Sequence, residues 1–358
     1  MTATTPEKRP ISIGVDAMGT DQGPAALVEG AARALSSGAN AAITFFGDES
    51  VLRPLIAQHA VLASADVEHC AASVAMTDKP MHVLRRGRDT SMWKAIEAQK
   101  DGRVRAVVSG GNTGALMAVS RMQLGMIDGV DRPAVTALWP TPRGRVVVLD
   151  VGANVEANEK ELVTFAIMGE AFFRALTGKA KPSVGLLNVG AEELKGHDLI
   201  RNAARTLREA DPDMAFIGFV EGNDISKGSA DVVVTDGFTG NIALKSAEGA
   251  ARLVGGWIKE ALTASPLAKL GSLLMIGDLK KLKEKIDPSS VNGGVFLGVN
   301  GVVVKSHGGA DAKGVASAVS MAATLVGKGF RREVSETLAL VRARAEMTPP
   351  AGAIKAAE

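Results

Sequence analysis

The sequence has one cysteine, Cys70, and no tyrosine in 358 residues. A lone cysteine excludes an intrachain disulfide and any cysteine-based metal cluster, and it suits a reducing compartment such as the cytoplasm. Aromatic residues make up only 4%, too few to expect a base-stacking platform. Charge of one sign is lacking too. Lys and Arg number 41 against 39 Asp and Glu, a net charge of +2, which argues against a nucleic-acid partner. The five histidines show no metal-ligand spacing. No apolar run reaches the roughly 18 residues that span a bilayer. Residues 1–10 carry no apolar stretch, so they are expected to be disordered rather than a signal peptide. The Pro- and Ala-rich tail 347–358 is expected to be flexible.

Several nucleotide and hydrolase signatures are also missing. There is no Gly-x-x-x-x-Gly-Lys-Ser/Thr, no Gly-x-Gly-x-x-Gly after the first strand, and no Gly-x-Ser-x-Gly elbow. A P-loop nucleotidase, an ordinary dinucleotide site and a serine hydrolase are disfavoured accordingly. Cys70 ends a strand pattern with no obvious base nearby, and reads as a buried structural thiol.

What is present is glycine, 40 residues of it, and a regular alternation of short apolar runs with helical periodicity. Strands are predicted at 11–16, 42–46, 65–69, 104–109, 134–138, 146–150, 183–188, 215–219, 231–235, 295–299 and 302–305. Helices are predicted near 24–36, 90–100, 113–125, 159–177, 197–210, 239–262, 269–286, 312–327 and 331–345. This order predicts a three-layer α/β/α fold with a mostly parallel sheet. With no long linker, 11–346 reads as one catalytic domain carrying a helical hairpin at about 246–286.

Polar residues gather where strands end. Asp16, Ser109, Asp150, Asn188, Asp236 and Lys305 each open a loop rich in Gly, Asn or Asp. Ligands of open α/β sheets bind beyond the carboxyl ends of the strands, so six such loops point to a polar, glycine-lined cleft. The stretch Ser109-Gly-Gly-Asn-Thr-Gly114 is the most specific of them. A strand running through two glycines into a helix start makes an anion site from backbone N–H groups and the helix dipole. Asn112 or Thr113 equally serves as a plain N-cap. Candidate phosphate-binding residues are Asp16, Gly111, Asn112, Thr113, Gly114, Asn154, Asp236 and His307. Lys195 and Asn241 join them as polar donors, in a set suited to holding a phosphate and stabilising an oxyanion during direct displacement. Lys195 also reads as a solvated lysine ahead of a helix. His307 also reads as a cap for the helix from Ala312.

Six blocks in order carry a family resemblance. They are Val15-Asp-Ala-Met-Gly-Thr-Asp-Gln-Gly-Pro24, Ser109-Gly-Gly-Asn-Thr-Gly-Ala115, Leu149-Asp-Val-Gly-Ala-Asn154, Asn188-Val-Gly-Ala-Glu-Glu-Leu-Lys-Gly196, Asp236-Gly-Phe-Thr-Gly-Asn241 and His307-Gly-Gly-Ala310. Over roughly 11–345 the chain resembles the bacterial phosphate acyltransferases of phospholipid synthesis, with Thr20 where that family more often has Gly. The resemblance implies transfer of a fatty acyl group from acyl carrier protein to inorganic phosphate. The acyl phosphate formed goes on to acylate glycerol 3-phosphate at a membrane acyltransferase. It further implies a homodimer, no metal or other cofactor, a fold akin to phosphotransacetylases and isocitrate-type dehydrogenases, and catalytic roles for Lys195 and Asn241.

The hairpin carries Leu267, Leu270, Leu273, Leu274 and Ile276, followed by Lys280, Lys281, Lys283 and Lys285. Apolar residues beside lysines suit an anionic membrane surface; a helical hairpin in a dimer interface uses the same stripe. The resemblance favours peripheral contact with the inner face of the cell membrane through a tip near 263–276. Other readings are a phosphotransacetylase-like enzyme using acyl-coenzyme A, a metal- and NAD-dependent dehydrogenase by fold analogy, and a non-catalytic scaffold for acyl carrier protein.

Overall fold

The computed structural model describes residues 9–211, 213–279 and 294–347. The predicted termini fall largely outside these residues, as do Lys280, Lys281, Lys283 and Lys285. The chain divides into two units, 1–127 with 292–331, and 128–291 with 332–358.

Unit 1 contains β1 (Ile11–Asp16), α1 (Gly23–Ser36), β2 (Ala41–Gly47), α2 (Glu49–Ile56), β3 (Asp66–His69), α3 (Pro80–Arg86), α4 (Ser91–Lys100), β4 (Ala106–Ser109) and α5 (Thr113–Leu124). The chain returns to it for β10 (Gly294–Leu297), β11 (Val302–Lys305) and α12 (Ala312–Gly327). Its strands run in the order β3-β2-β1-β4-β11-β10, all parallel except β10. The chain leaves β1 for β2 on one side and returns to β4 on the other, so the order reverses beside β1. In open α/β sheets such a reversal is where ligands bind, beyond the carboxyl ends of the strands, here those of β1 and β4. Apart from the edge strand β3, the strands are largely buried because helices cover them. Pro24 opens α1, which packs on α12 at Gly30, where a Cβ would lie 2.4 Å from the Val315 Cβ.

Unit 2 contains β5 (Ala134–Thr141), β6 (Gly144–Leu149), α6 (Glu159–Thr177), β7 (Ser183–Leu187), α7 (Asp198–Ala210), β8 (Ala215–Val220), α8 (Gly222–Lys227), β9 (Val232–Val234), α9 (Gly237–Thr263) and α10 (Pro266–Leu274), with most of α13 (Phe330–Met347). Its strand order is β5-β6-β9-β7-β8, with β5 and β6 an antiparallel hairpin and the rest parallel. The core helix α6 starts in a capping box. Asn158 accepts from the Glu161 N–H at 2.9 Å, and Glu161 accepts from the Asn158 N–H at 2.8 Å. It ends at Gly178 in the left-handed conformation, φ 79°.

The α/β class and the mostly parallel strands are as predicted, and every predicted strand is found. The helices α2, α3 and α8 were not predicted, being at most 8 residues long and too short for a helical period to register.

Candidate active site

In unit 1, three loops converge at the carboxyl ends of β1, β4 and β11. Strand register sets Asp16 against Ser109, and Ser109 against Lys305. Three polar residues far apart in sequence thus share one level of adjacent parallel strands. Asp16 is 1% exposed. Ser91 Oγ donates to its Oδ1 and Ser109 Oγ to its Oδ2, each at 2.6 Å, while the Gly111 N–H donates to Ser109 Oγ at 3.1 Å. This relay ties the glycine turn to β1. Burial raises the Asp16 carboxyl above the usual range, opposed by the hydroxyls of Ser109 and Ser91, the Met18 amide and the charge of Lys305.

Lys305 is buried at the end of β11. Its Nζ donates to the Gly110 carbonyl at 3.2 Å and to the Ser306 carbonyl. Burial lowers its pKa to about 8, against the pull of Asp16 and Asp21. Around it the loops lock together: the Ser306 N–H donates to the Ser109 carbonyl, and the Asp21 N–H to the Gly308 carbonyl. A Cβ on Gly110 would stand 2.7 Å from Thr20 Cγ2, and one on Gly111 2.8 Å from Met92 Cε. Glycine is therefore what permits the close approach.

Asn112 is the N-cap of α5, accepting from the Ala115 N–H at 3.0 Å, and its amide also donates to the carbonyls of Met76 and Asp78 at 2.9 Å. Thr113 and Gly114 are exposed at the first turn of α5. His307 does not cap α12; Asp311 does, accepting from the Gly314 N–H at 2.9 Å. His307 Nδ1 instead accepts from the Gly309 N–H at 3.1 Å.

In unit 2 the corresponding loops follow β6, β7 and β9. Asp150, wholly buried, collects the N–H groups of Val135, Gly152, Ala153 and Asn154, and the Asn154 amide besides. Burial raises its carboxyl, and these donors oppose the rise. The other Asn154 amide hydrogen goes to the Pro133 carbonyl at 2.8 Å. Asp150 and Asn154 hold the loop in shape, and α9 is seated on it. A Cβ on Gly240 would lie 1.9 Å from the Asp150 carbonyl oxygen, and one on Gly237 2.5 Å from that of Asn154. Asp236 caps α9, accepting from the Thr239 N–H at 2.8 Å and the Thr239 hydroxyl at 2.9 Å. Asn241 lies in the first turns of α9 with its amide about 3.7 Å from where a Gly152 Cβ would be. No hydrogen bond to that amide is found among the described residues. Lys195 sits in the loop after β7, its side chain 57% exposed and its Nζ 3.9 Å from Glu192.

The structure thus joins Asp16, Gly111, Asn112 and His307 in unit 1, and Asn154, Asp236 and Asn241 in unit 2. The sequence points to Ser109 and Lys305 only as residues opening cleft loops, without a role of their own, and does not single out Ser91. The signal for Lys305 was a lysine closing the apolar run Val302–Lys305; Ser91 offered none. Cys70 is buried, with Sγ 3.5 Å from the Glu68 carbonyl oxygen. Burial and the charges of Glu68 and Asp16 push its thiol up to about 11.

Residues 11–333 match the fatty acid synthesis protein family. A phosphate acyltransferase of Maricaulis maris is 55% identical over 91% of this chain and 94% of its own length. One of Caulobacter vibrioides is 49% identical over 97% and 95%. Among solved structures, the EutD phosphotransacetylase of Staphylococcus aureus superposes with a TM-score of 0.58 at 14% identity, covering 88% of this chain and 94% of its own. A phosphotransacetylase of Streptococcus pyogenes gives 0.58 at 16%, with the same coverage. At these identities the structural likeness speaks for the fold alone. The sequence likeness over nearly the whole chain goes further: this chain belongs to the fatty acid synthesis protein family, among the phosphate acyltransferases.

Proposed function

We propose that the protein transfers a fatty acyl group from the thioester of acyl carrier protein to inorganic phosphate. A phosphate oxygen attacks the thioester carbonyl carbon, forming a C–O bond and a tetrahedral oxyanion. Collapse breaks the C–S bond, and the carrier leaves as a thiolate that takes up, through solvent, the proton the attacking hydrogen phosphate gives up. A thiolate leaves readily, so the chemistry asks mainly for anion binding and oxyanion stabilisation. The observation that carries this reading is the relay at the end of β1, β4 and β11. It fixes a glycine turn leading into the start of α5 with the Lys305 ammonium behind them, and a helix start of this kind is suited to an anion.

In unit 1 we assign phosphate recognition to Thr113, Gly114 and His307, with Asp16, Gly111 and Asn112 shaping the turn. In unit 2 we assign donors to the developing negative charge to Lys195 and Asn241, with Asn154 and Asp236 fixing the seat of α9. Neither assignment needs a metal or cofactor. The enzyme is proposed to work as a cytoplasmic homodimer resting on the inner face of the membrane, where it hands acyl phosphate to the membrane glycerol-3-phosphate acyltransferase.

The test is an assay of phosphate-dependent loss of acyl-carrier thioester with appearance of acyl phosphate, run with and without a chelator. Full activity in chelator is expected, and Lys195→Ala and Asn241→Ala should each lower turnover about 10²- to 10³-fold with the fold intact. Near-normal turnover in both variants removes them from the site. Preference for acyl-coenzyme A would point to the phosphotransacetylase-like reading, and carrier-protein binding without turnover to a scaffold.

A further inference from the structure

Unit 2 contains a solvent-open cavity of about 750 Å³ at the carboxyl ends of β7 and β9, flanked by α6, α7 and the start of α9. That volume lies within the range of about 300–1,000 Å³ usual for ligand pockets. Its lining includes Leu162 from α6, Leu186 from β7, Val234 from β9, Leu199 and Ile200 from α7, and Phe238 from α9. Leu162, Leu186 and Val234 are buried core residues, whereas Leu199 is 37% and Phe238 60% exposed. Exposed apolar side chains beside a buried apolar floor are what an elongated apolar ligand would cover.

Of the three acids in the lining, Glu156 is exposed and the other two are hydrogen-bonded. Both oxygens of Asp236 accept from Thr239, and Glu161 is taken up by the Asn158 N–H and by Arg132, whose Nε lies 3.2 Å away. The cavity thus has an apolar floor, with Arg132, Glu156 and His197 among the polar residues of its lining. Its walls are also the segments that carry the two assigned donors. His197, two residues beyond Lys195, lines it, and Phe238 and Thr239 line it one helical turn or less before Asn241.

We infer that this cavity receives the fatty acyl chain of the thioester donor, with the carbonyl end toward the start of α9. The inference rests on the acyl-transfer reading above and adds a chain-length determinant to it. A side chain that fills the cavity should penalise long donors and spare short ones. Discrimination by apolar volume is modest, about 10- to 200-fold for a methylene-scale change.

The experiment measures kcat/KM of the full chain with butyryl-, octanoyl- and palmitoyl-acyl carrier protein, for the parent, Ile200→Trp and Leu199→Trp. It also measures binding of a fluorescent long-chain fatty acid to each protein, with thermal unfolding as the folding check. At least about tenfold loss on the palmitoyl donor is expected, with the butyryl donor within about twofold and weaker fatty-acid binding. Equal loss on all three donors in folded variants, or no loss on any, overturns the inference. If the parent makes no acyl phosphate from any donor yet the variants still lose fatty-acid binding, the acyl-transfer reading fails and the apolar site stands. The two variants sit at differently exposed positions, so one that fails to fold leaves the other to decide.

Discussion

An ammonium group buried at the end of a strand is held at a cost in desolvation, and Lys305 shows that cost in a pKa lowered from 10.5 to about 8. The sign for stability follows from linkage. Between about pH 8 and 10.5 the unfolded chain binds the proton that the folded protein has released. Destabilisation from burying Lys305 is therefore present below about 8 and fades as pH rises above it. Anion binding runs the other way, because the charge behind the Ser109–Gly111 turn disappears over the same window. Asp16 and Asp21 are the charges facing Lys305, and both sustain its protonated form. The parent enzyme should thus lose kcat/KM for phosphate as pH rises through about 8. Lys305→Met should be low throughout, with no such limb. A limb of the same position in Lys305→Met would assign it to another group.

Cys70 gives the opposite prediction at the same scale. A thiol pushed up to about 11 is almost wholly protonated at neutral pH and is a poor nucleophile. Cys70→Ser should keep turnover within a few-fold. An acyl group recovered on Cys70 would contradict direct attack by phosphate. The difference between these two residues also marks how far the sequence could be read. Cys70 was recognisable from its position at the end of a strand pattern. Lys305 acquires its role only through parallel pairing of β11 with β4, which brings it level with residues nearly 200 positions away.

At the scale of elements, α9 shows the same division between local and long-range information. Asp236-Gly-Phe-Thr-Gly announces a capped helix start by itself. That Gly240 must be glycine follows only from the 150–154 loop beneath it, where a Cβ would meet the Asp150 carbonyl oxygen at 1.9 Å. A backbone oxygen held by a buried loop cannot yield as a flexible side chain would. Gly240→Ala should lower stability by about 3 kcal/mol or more in urea unfolding. Gly249 lies in the same helix, and a Cβ there would meet nothing within 4 Å. Gly249→Ala should be neutral or stabilising by about 0.5–1 kcal/mol. Equal effects of the two changes would remove the packing explanation. Local signals also account for the elements that went unseen. α2 holds Pro54 within its 8 residues, and α8 is only 6 residues long. Periodicity has little to act on in such segments, whereas α6 runs for 19 residues with a capping box at its start and Gly178 at its end.

At the scale of the whole molecule, the hairpin of α9 and α10 has no counterpart in the α/β plan. In α9 only Gly237 and Gly240 are buried, and in α10 no residue is. Leu253 and Trp257 are more than half exposed, as are Leu267, Leu270, Leu273, Leu274 and Ile276. No helix among the described residues is long and apolar enough to cross a membrane. A surface this apolar on a chain with balanced charge calls for a cover, and a dimer partner and a lipid surface make different demands on it. The proposed membrane contact at the tip draws on the sequence, where the apolar residues of α10 are followed by Lys280, Lys281, Lys283 and Lys285, a combination that suits anionic lipid. Each partly inserted methylene contributes up to about 0.8 kcal/mol, and each lysine near the headgroups about 1 kcal/mol. Binding to anionic vesicles should therefore be reversible and weaken as salt rises, since the lysine contribution is screened over about 8–10 Å. Vesicle sedimentation of the parent and of Leu270→Glu/Leu274→Glu, with light scattering for the oligomeric state, separates the two covers. Loss of vesicle binding with the dimer intact is expected. Equal vesicle binding by both proteins sinks the membrane assignment, and loss of the dimer alone moves the whole hairpin to the interface between copies.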